Sequence, residues 1–167
     1  NVTANIKETG AITADDLVHY ASLLGDAERR QGVTAVEVRL PDPMLERGLA
    51  MVDTPGVGGM SQGHRDIALA SLKLADALIF AVSSQEPILR TELEFLAEAS
   101  ARIDTVVFVM TKTDANASWE AMLDEDRAKI AAFGDLLREK AAGPAAAEES
   151  REIAGRFARL GDAPFLP

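Results

Sequence analysis

The sequence predicts a doubly wound α/β fold, in which a mostly parallel central sheet carries helices on both faces. Two apolar segments, 77–82 and 105–110, are continuous runs of the kind found in strands that are buried on both sides. The segment between them, 89–101, has apolar residues at helical spacing. Strand, helix and strand therefore follow one another, which is the order of a βαβ crossover.

The first part of the chain predicts shorter elements. Apolar and polar residues alternate in 2–6, as in a strand with one buried face, and a short helix is expected in 15–24. Alternation returns in 33–40, and an apolar run follows a proline turn in 48–52. We expect two further strands there, the first of them an antiparallel edge strand.

The rest of the chain predicts three more helices. Helical spacing is present in 67–75, and a long helix is expected to begin after a capping residue, Ser118. The segment 141–149 has no aromatic or branched apolar residue, so we expect a mobile loop there, before a last short helix in 151–160.

Composition excludes several classes of partner and site. The net charge of −10 argues against a nucleic-acid partner, because such partners are attracted by basic surfaces. The absence of cysteine excludes disulfide bonds and cysteine-based zinc sites. An anionic ligand needs a local site, which backbone N–H groups, a lysine and a metal ion can provide.

The first candidate motif, Asp53-Thr54-Pro55-Gly56, directly follows the predicted strand at 48–52. Ligands of open α/β sheets bind at the carboxyl ends of the strands, so Asp53 is a candidate ligand of a metal ion, directly or through water. Gly56 has no Cβ, and its backbone N–H can therefore approach a terminal phosphate closely. The same four residues also form ordinary turns in other proteins, and this alternative stays open.

The second candidate motif contains Thr111, Lys112 and Asp114 and directly follows the predicted strand at 105–110. A carboxylate at Asp114 can accept hydrogen bonds from the ring N–H and the amino group of guanine, a donor pair that adenine lacks. The aliphatic part of Lys112 can lie along the base. Lys-x-Asp alone is common on protein surfaces, so the order and spacing of both motifs carry the interpretation.

Together the two motifs resemble those of translation-factor-related GTPases, and more narrowly those of the dynamin superfamily. The Thr-Lys-x-Asp form at 111–114, the loop Asp-Thr-Pro-Gly-Val-Gly-Gly at 53–59 and the long element between the strands at 2 and 33 are similar to bacterial dynamin-like proteins. The resemblance implies a P-loop GTPase-like fold, called a G domain. It also implies that Asp53, Thr54, Pro55, Gly56, Thr111, Lys112 and Asp114 bind the nucleotide.

The resemblance further implies hydrolysis of GTP with Mg²⁺, which Asp53 holds through water, and with a monovalent cation. Val57 occupies the position at which many small GTPases have a water-orienting glutamine, so another group must orient the water. The family also implies a homodimer or higher oligomer across the nucleotide face. Membrane remodelling is implied through regions outside this chain, and the location is cytoplasmic or at the inner face of the cell membrane. His64 is expected to be solvated and is not assigned to the site.

One family motif is missing, because no Gly-x-x-x-x-Gly-Lys-[Ser/Thr] loop occurs in the sequence. We therefore expect residues 1–167 to be a partial G domain that lacks the P-loop strand, switch I and the last base-contact loop. Catalytic residues are expected upstream of Asn1, and the fragment alone is expected to be inactive. Two alternatives stay open: a catalytically inactive GTPase-like scaffold, and a monomeric regulatory GTPase switch.

Overall fold

The computed structural model describes most of the chain in six ranges. These ranges are 3–6, 10–12, 17–21, 36–54, 62–144 and 146–167. They belong to two compact units, an N-terminal unit (Asn1–Met51) and a C-terminal unit (Val52–Pro167). Each unit has its own three-stranded sheet.

The N-terminal unit contains an antiparallel sheet. Its strands are β1 (Thr3–Ile6), β2 (Gly10–Ile12) and β3 (Glu37–Arg39), in the order β2-β1-β3, and α1 (Leu17–Ala21) lies between β2 and β3 in sequence. Both neighbours pair with β1 in antiparallel orientation. The prediction of an antiparallel edge strand in 33–40 is confirmed by β3. The prediction allowed only one antiparallel strand, however, whereas all three strands of this sheet are antiparallel to their neighbours.

The predicted strand at 48–52 is wrong. Gly48 has a φ of 93° and ends a 3₁₀ turn, Leu45–Arg47, so the first residue of the predicted strand belongs to a turn. No strand ladder of the described residues includes the residues after it. Met51 is 74% exposed and Val52 is 68% exposed. Apolar residues form a strand only where a neighbouring strand completes the hydrogen bonds, and none of the described strands does so here.

The C-terminal unit contains the predicted parallel sheet. Its strands are β4 (Ala77–Ser83), β5 (Thr105–Thr111) and β6 (Phe165–Leu166), in the order β4-β5-β6. The register runs from Ala77 beside Thr105 to Ser83 beside Thr111, so β4 and β5 end at the same edge. The two strands predicted from continuous apolar runs are thereby confirmed.

The helices of this unit agree with the predicted order. They are α2 (Gln62–Ser71), α3 (Arg90–Ser100), α4 (Trp119–Ala141) and α5 (Glu148–Ala158). The predicted loop at 141–149 was too long, because Ala141 ends α4 and α5 already begins at Glu148; its mobility stays a prediction. Ser118 precedes α4, but its side chain makes no capping hydrogen bond. The side chain of Asn116 instead accepts the N–H of Ser118 at 2.9 Å.

The core of the C-terminal unit lies on one face of the sheet. Phe80 packs against Phe108 with ring centroids 5.9 Å apart, and Phe95 of α3 stacks on Phe80 at 6.4 Å. On the other side of β4, Ala77 and Ala81 are exposed and Ile79 is 59% exposed. The described helices of this unit thus cover one side of β4 and leave the other uncovered.

Candidate functional site

The predicted base-recognition residues lie at the carboxyl edge of the parallel sheet. Thr111 is the last residue of β5, and Lys112 and Asp114 follow it in a short loop. The hydroxyl of Thr111 donates a hydrogen bond to the carbonyl of Val82 at 3.0 Å, which joins the ends of β5 and β4. The structure therefore brings the three predicted residues together at the edge where α/β sheets bind ligands.

The backbone of Lys112 has an unusual conformation. Its φ of 60° and ψ of 28° place it in the left-handed region, and no other non-glycine residue of the described ranges has a positive φ. Side chains other than those of Asn, Asp and Gly disfavour this region. Such strained residues often occur at functional sites, so the conformation is an independent reason to look for a ligand here.

The carboxylate of Asp114 is available to a ligand. Asp114 lies in a 3₁₀ turn, Thr113–Ala115, and is exposed. Within the described ranges its carboxylate takes part in no hydrogen bond or ion pair. Lys112 is exposed as well. A free carboxylate on a fixed turn can accept two N–H groups from one planar ligand.

A buried serine ties this loop to β4, and sequence reasoning missed it. Ser84 is 0% exposed and donates its N–H to the Thr111 carbonyl at 3.0 Å and its hydroxyl to the Lys112 carbonyl at 2.7 Å. Its own carbonyl accepts a hydrogen bond from the side-chain amide of Asn116. The only sequence signal was Asn116, two residues before the serine that precedes α4, a pattern typical of a turn.

The phosphate-side motif is described only in part. Asp53 is exposed and Thr54 is half-buried. Pro55 and Gly56 lie outside the described residues, so the predictions for them stay predictions. Within the described ranges no hydrogen bond or ion pair links Asp53 or Thr54 to the loop of Lys112 and Asp114. The convergence of the two motifs on one crevice also stays a prediction.

Asp53 stays a candidate ligand of a magnesium ion. Among the described residues, no three acidic, histidine or cysteine side chains form a cluster able to hold a metal ion. Mg²⁺ bound to a nucleotide needs no such cluster, because one or two carboxylates, waters and phosphate oxygens complete its coordination. Asp53 is exposed and has no ion-pair partner in the described ranges, which is compatible with that role, and the role stays a prediction.

A second buried polar residue holds the segment that follows β4. Asp126 of α4 is 0% exposed, and its Oδ1 accepts the N–H of Ile88 at 2.8 Å. Its Oδ2 has no hydrogen-bond partner among the described residues. Burial raises the pKa of the Asp126 carboxyl above its ordinary value of 3.8, and the hydrogen bond from Ile88 opposes this only in part.

Asp126→Asn is expected to stabilise the folded chain at pH 7. The amide keeps the acceptor for Ile88 but carries no buried charge. Because the folded-state pKa is raised, protonation stabilises the native chain fully below pH 3.8, and this contribution is lost as pH rises through the folded pKa. The variant should therefore have the higher melting temperature at pH 7, and the gap should close as pH falls toward 4.

Asp126→Ala is the matched comparison, since it removes the acceptor as well as the charge. It should lower the free energy of unfolding by about 1–3 kcal/mol, because the Ile88 N–H loses its partner. Thermal unfolding of the three proteins between pH 4 and pH 7 measures both effects. A constant gap between Asp126→Asn and the unchanged chain over that range would contradict the assigned role.

No helix of the described ranges combines the length and apolar character that crossing a bilayer requires.

The family model described as "Dynamin family" matches residues 4–113. That range contains both candidate motifs except Asp114, which follows its last residue directly.

Individual relatives agree with this match. The Isoniazid-induced protein IniA of Mycobacterium tuberculosis is 35% identical over 98 residues, covering 59% of this chain and 15% of the relative. An uncharacterized protein in the xynA 3′ region of a Caldicellulosiruptor species is 30% identical over 103 residues, covering 62% of this chain and 26% of the relative. Dynamin-like protein A of Bacillus subtilis is 29% identical over 87 residues, covering 49% of this chain and 7% of the relative. The chain thus spans about a quarter or less of the length of these relatives. Because the family model matches more than half of the chain, the chain belongs to the dynamin family.

Proposed function

We propose that this chain forms part of a domain that binds and hydrolyses GTP in the complete protein. The observation that carries the proposal is the exposed carboxylate of Asp114, on the turn that follows the left-handed residue Lys112 at the carboxyl edge of a parallel sheet. Membership of the dynamin family supports the same function. The proposal concerns the complete protein, because the chain spans only part of its relatives.

Guanine is recognised by Asp114 in this proposal. Its carboxylate accepts the ring N–H and the 2-amino group of the base. Adenine offers no such donor pair and would leave the carboxylate unpaired, which disfavours ATP. Lys112, next to the turn, lies with its aliphatic part along the base, and its ammonium braces the neighbouring loops.

Hydrolysis requires a water molecule to attack the γ-phosphorus. A bond forms between the water oxygen and that phosphorus while the water gives up a proton to a phosphate oxygen, the bond to the β–γ bridging oxygen breaks, and GDP and phosphate leave. We assign Asp53 to hold Mg²⁺, through water, and the backbone N–H of Gly56 to approach the γ-phosphate. The ion, when bound, neutralises charge that develops on the phosphate oxygens. Because the side chain of Val57 has no polar group to orient the water, that role would fall to a group outside these residues and a monovalent cation.

Family membership also supports a finer proposal about the biological role. The GTPase cycle would drive self-assembly, through a homodimer or higher oligomer across the nucleotide face, in the cytoplasm or at the inner face of the membrane. Membrane contact would use regions outside this chain. The sequence predicted helices on both faces of the parallel sheet. We also propose, therefore, that helices elsewhere in the protein cover the exposed side of β4.

Titration of labelled GTP and ATP into the complete protein tests the function, with phosphate release measured in parallel. We expect saturable GTP binding, little ATP binding and phosphate release from GTP that stops when Mg²⁺ is chelated. Equal affinity for the two nucleotides would contradict the guanine assignment.

A second candidate function is a GTPase-like scaffold without catalysis. An intact Gly-x-x-x-x-Gly-Lys-[Ser/Thr] loop in the complete protein would support the enzyme, and its absence there would support the scaffold. The same experiment distinguishes the two functions, because a scaffold releases no phosphate at saturating GTP.

A further inference from the structure

The turn that carries Asp114 is anchored to β4 by one residue, Ser84. All three polar groups of Ser84 are bonded to the neighbouring loop: its N–H to Thr111, its hydroxyl to Lys112 and its carbonyl to Asn116. The residue is 0% exposed, so water does not compete for these bonds. Ser84 therefore connects the ends of β4 and β5 through buried hydrogen bonds and is not a solvated loop residue.

The bond from Ser84 acts where the backbone is strained. Its hydroxyl holds the carbonyl of Lys112, and the same carbonyl accepts the N–H of Ala115 at 3.0 Å. Both bonds fix the peptide group that follows the left-handed residue. The direction of Asp114, two residues further on, depends on that peptide group. Without the bond from Ser84, a lysine would be expected to leave the left-handed region more readily.

Asn116 holds the other end of the turn. Its side-chain amide nitrogen donates to the Ser84 carbonyl, and its side-chain oxygen accepts the N–H of Ser118 at 2.9 Å. The turn therefore has an anchor on each side of Asp114. The side chain of Asp114 itself makes no hydrogen bond or ion pair within the described ranges that could fix it.

We propose that Ser84 and Asn116 are positioning residues for nucleotide specificity, holding the Asp114 carboxylate in the direction that a guanine base requires. Neither side chain contacts the nucleotide. The inference rests on the proposed function, because it assumes that Asp114 reads the base. Recognition by a bidentate acceptor depends on a fixed geometry, and second-layer hydrogen bonds to the backbone supply it.

A double-mutant cycle tests the inference in the complete protein, with Ser84→Ala, Asp114→Ala and the pair, and with labelled GDP as the probe. Ser84→Ala alone should weaken GDP binding about 3- to 10-fold, the effect of one hydrogen bond. In the Asp114→Ala background the same change should have less than about a 2-fold effect, because Ser84 acts through Asp114. A merely structural role would give the same fold-change in both backgrounds.

Ser100→Ala is the matched control. Ser100 is 2% exposed, and its hydroxyl also donates to a backbone carbonyl, that of Ala97 at 2.8 Å, but it lies at the end of α3 beside the amino end of β5. It should leave GDP affinity unchanged. Ser84→Thr keeps the hydroxyl and should retain most of the affinity. If Ser84→Ala does not fold, Asn116→Asp takes its place in the cycle, since it removes the donor to Ser84 and keeps the acceptor for Ser118.

The outcomes separate this inference from the proposed function. If the unchanged protein does not bind GDP, or if Asp114→Ala has no effect, the proposed function fails. If Asp114→Ala weakens binding while Ser84→Ala does not, or if the two effects are independent, only the positioning role is overturned.

Discussion

Asp114→Asn is expected to weaken GTP binding by the complete protein about 10- to 100-fold and to create affinity for xanthosine triphosphate. Xanthine carries a carbonyl oxygen where guanine carries the 2-amino group. The amide nitrogen of asparagine can donate to that oxygen, whereas the carboxylate of Asp114 repels it. A reversal of preference is a stronger result than a loss, because damage to the fold cannot produce it. Competition of both triphosphates against labelled GDP measures the change.

Asp124→Asn is the control for this substitution. Asp124 is also exposed, lies on α4 and takes part in no ion pair within the described ranges, so the same loss of charge is made away from the turn. It should change neither affinity. Unchanged GTP binding in Asp114→Asn, or an equal loss in Asp124→Asn, would contradict the assignment of Asp114 to the base.

Asp53→Ala is expected to reduce GTP hydrolysis by the complete protein by about 100- to 1000-fold, the typical effect of removing one group that organises charge stabilisation. The proposed contacts to guanine do not involve Asp53, so GDP binding measured without Mg²⁺ should change little. Phosphate release over a range of Mg²⁺ concentrations provides the measurement. The half-saturating concentration of Mg²⁺ should rise sharply in the variant.

Asp76→Ala is a suitable comparison for Asp53→Ala, because Asp76 is an exposed aspartate between α2 and β4. It should hydrolyse GTP at the original rate. Hydrolysis by Asp53→Ala with an unaltered rate and an unaltered requirement for Mg²⁺ would remove Asp53 from the metal site.

The parallel sheet was predictable because the signals for its strands and helices lie in short segments of the sequence. In β4 and β5 the apolar residues form unbroken runs, and α3 between them has helical spacing, so burial and periodicity already indicate the order of the elements. The position of Asp114 at the edge of the sheet was predictable for a related reason, since it follows a strand end within a few residues; its role stays a prediction. The prediction of a strand at 48–52 was wrong because apolar content does not reveal whether a neighbouring strand is present to pair with it.

The supporting residues could not be predicted, because their roles depend on contacts between distant parts of the chain. Ser84 meets Lys112 across 28 positions, Asn116 meets Ser84 across 32, and Asp126 meets Ile88 across 38. Serine, asparagine and aspartate in loops and on helices are usually solvated, so sequence alone favours that interpretation. Only the fold shows that these three side chains hold the segment after β4 and the turn after β5.

The account depends on Asp53 and Asp114 serving one nucleotide. The most direct measurement is a crystal structure of the complete protein with a non-hydrolysable GTP analogue and Mg²⁺. We predict that the Asp114 carboxylate accepts hydrogen bonds from the guanine ring N–H and 2-amino group, and that Asp53 reaches the ion through a coordinated water. A nucleotide bound elsewhere, or two carboxylates that face separate regions with no shared cavity, would contradict the account.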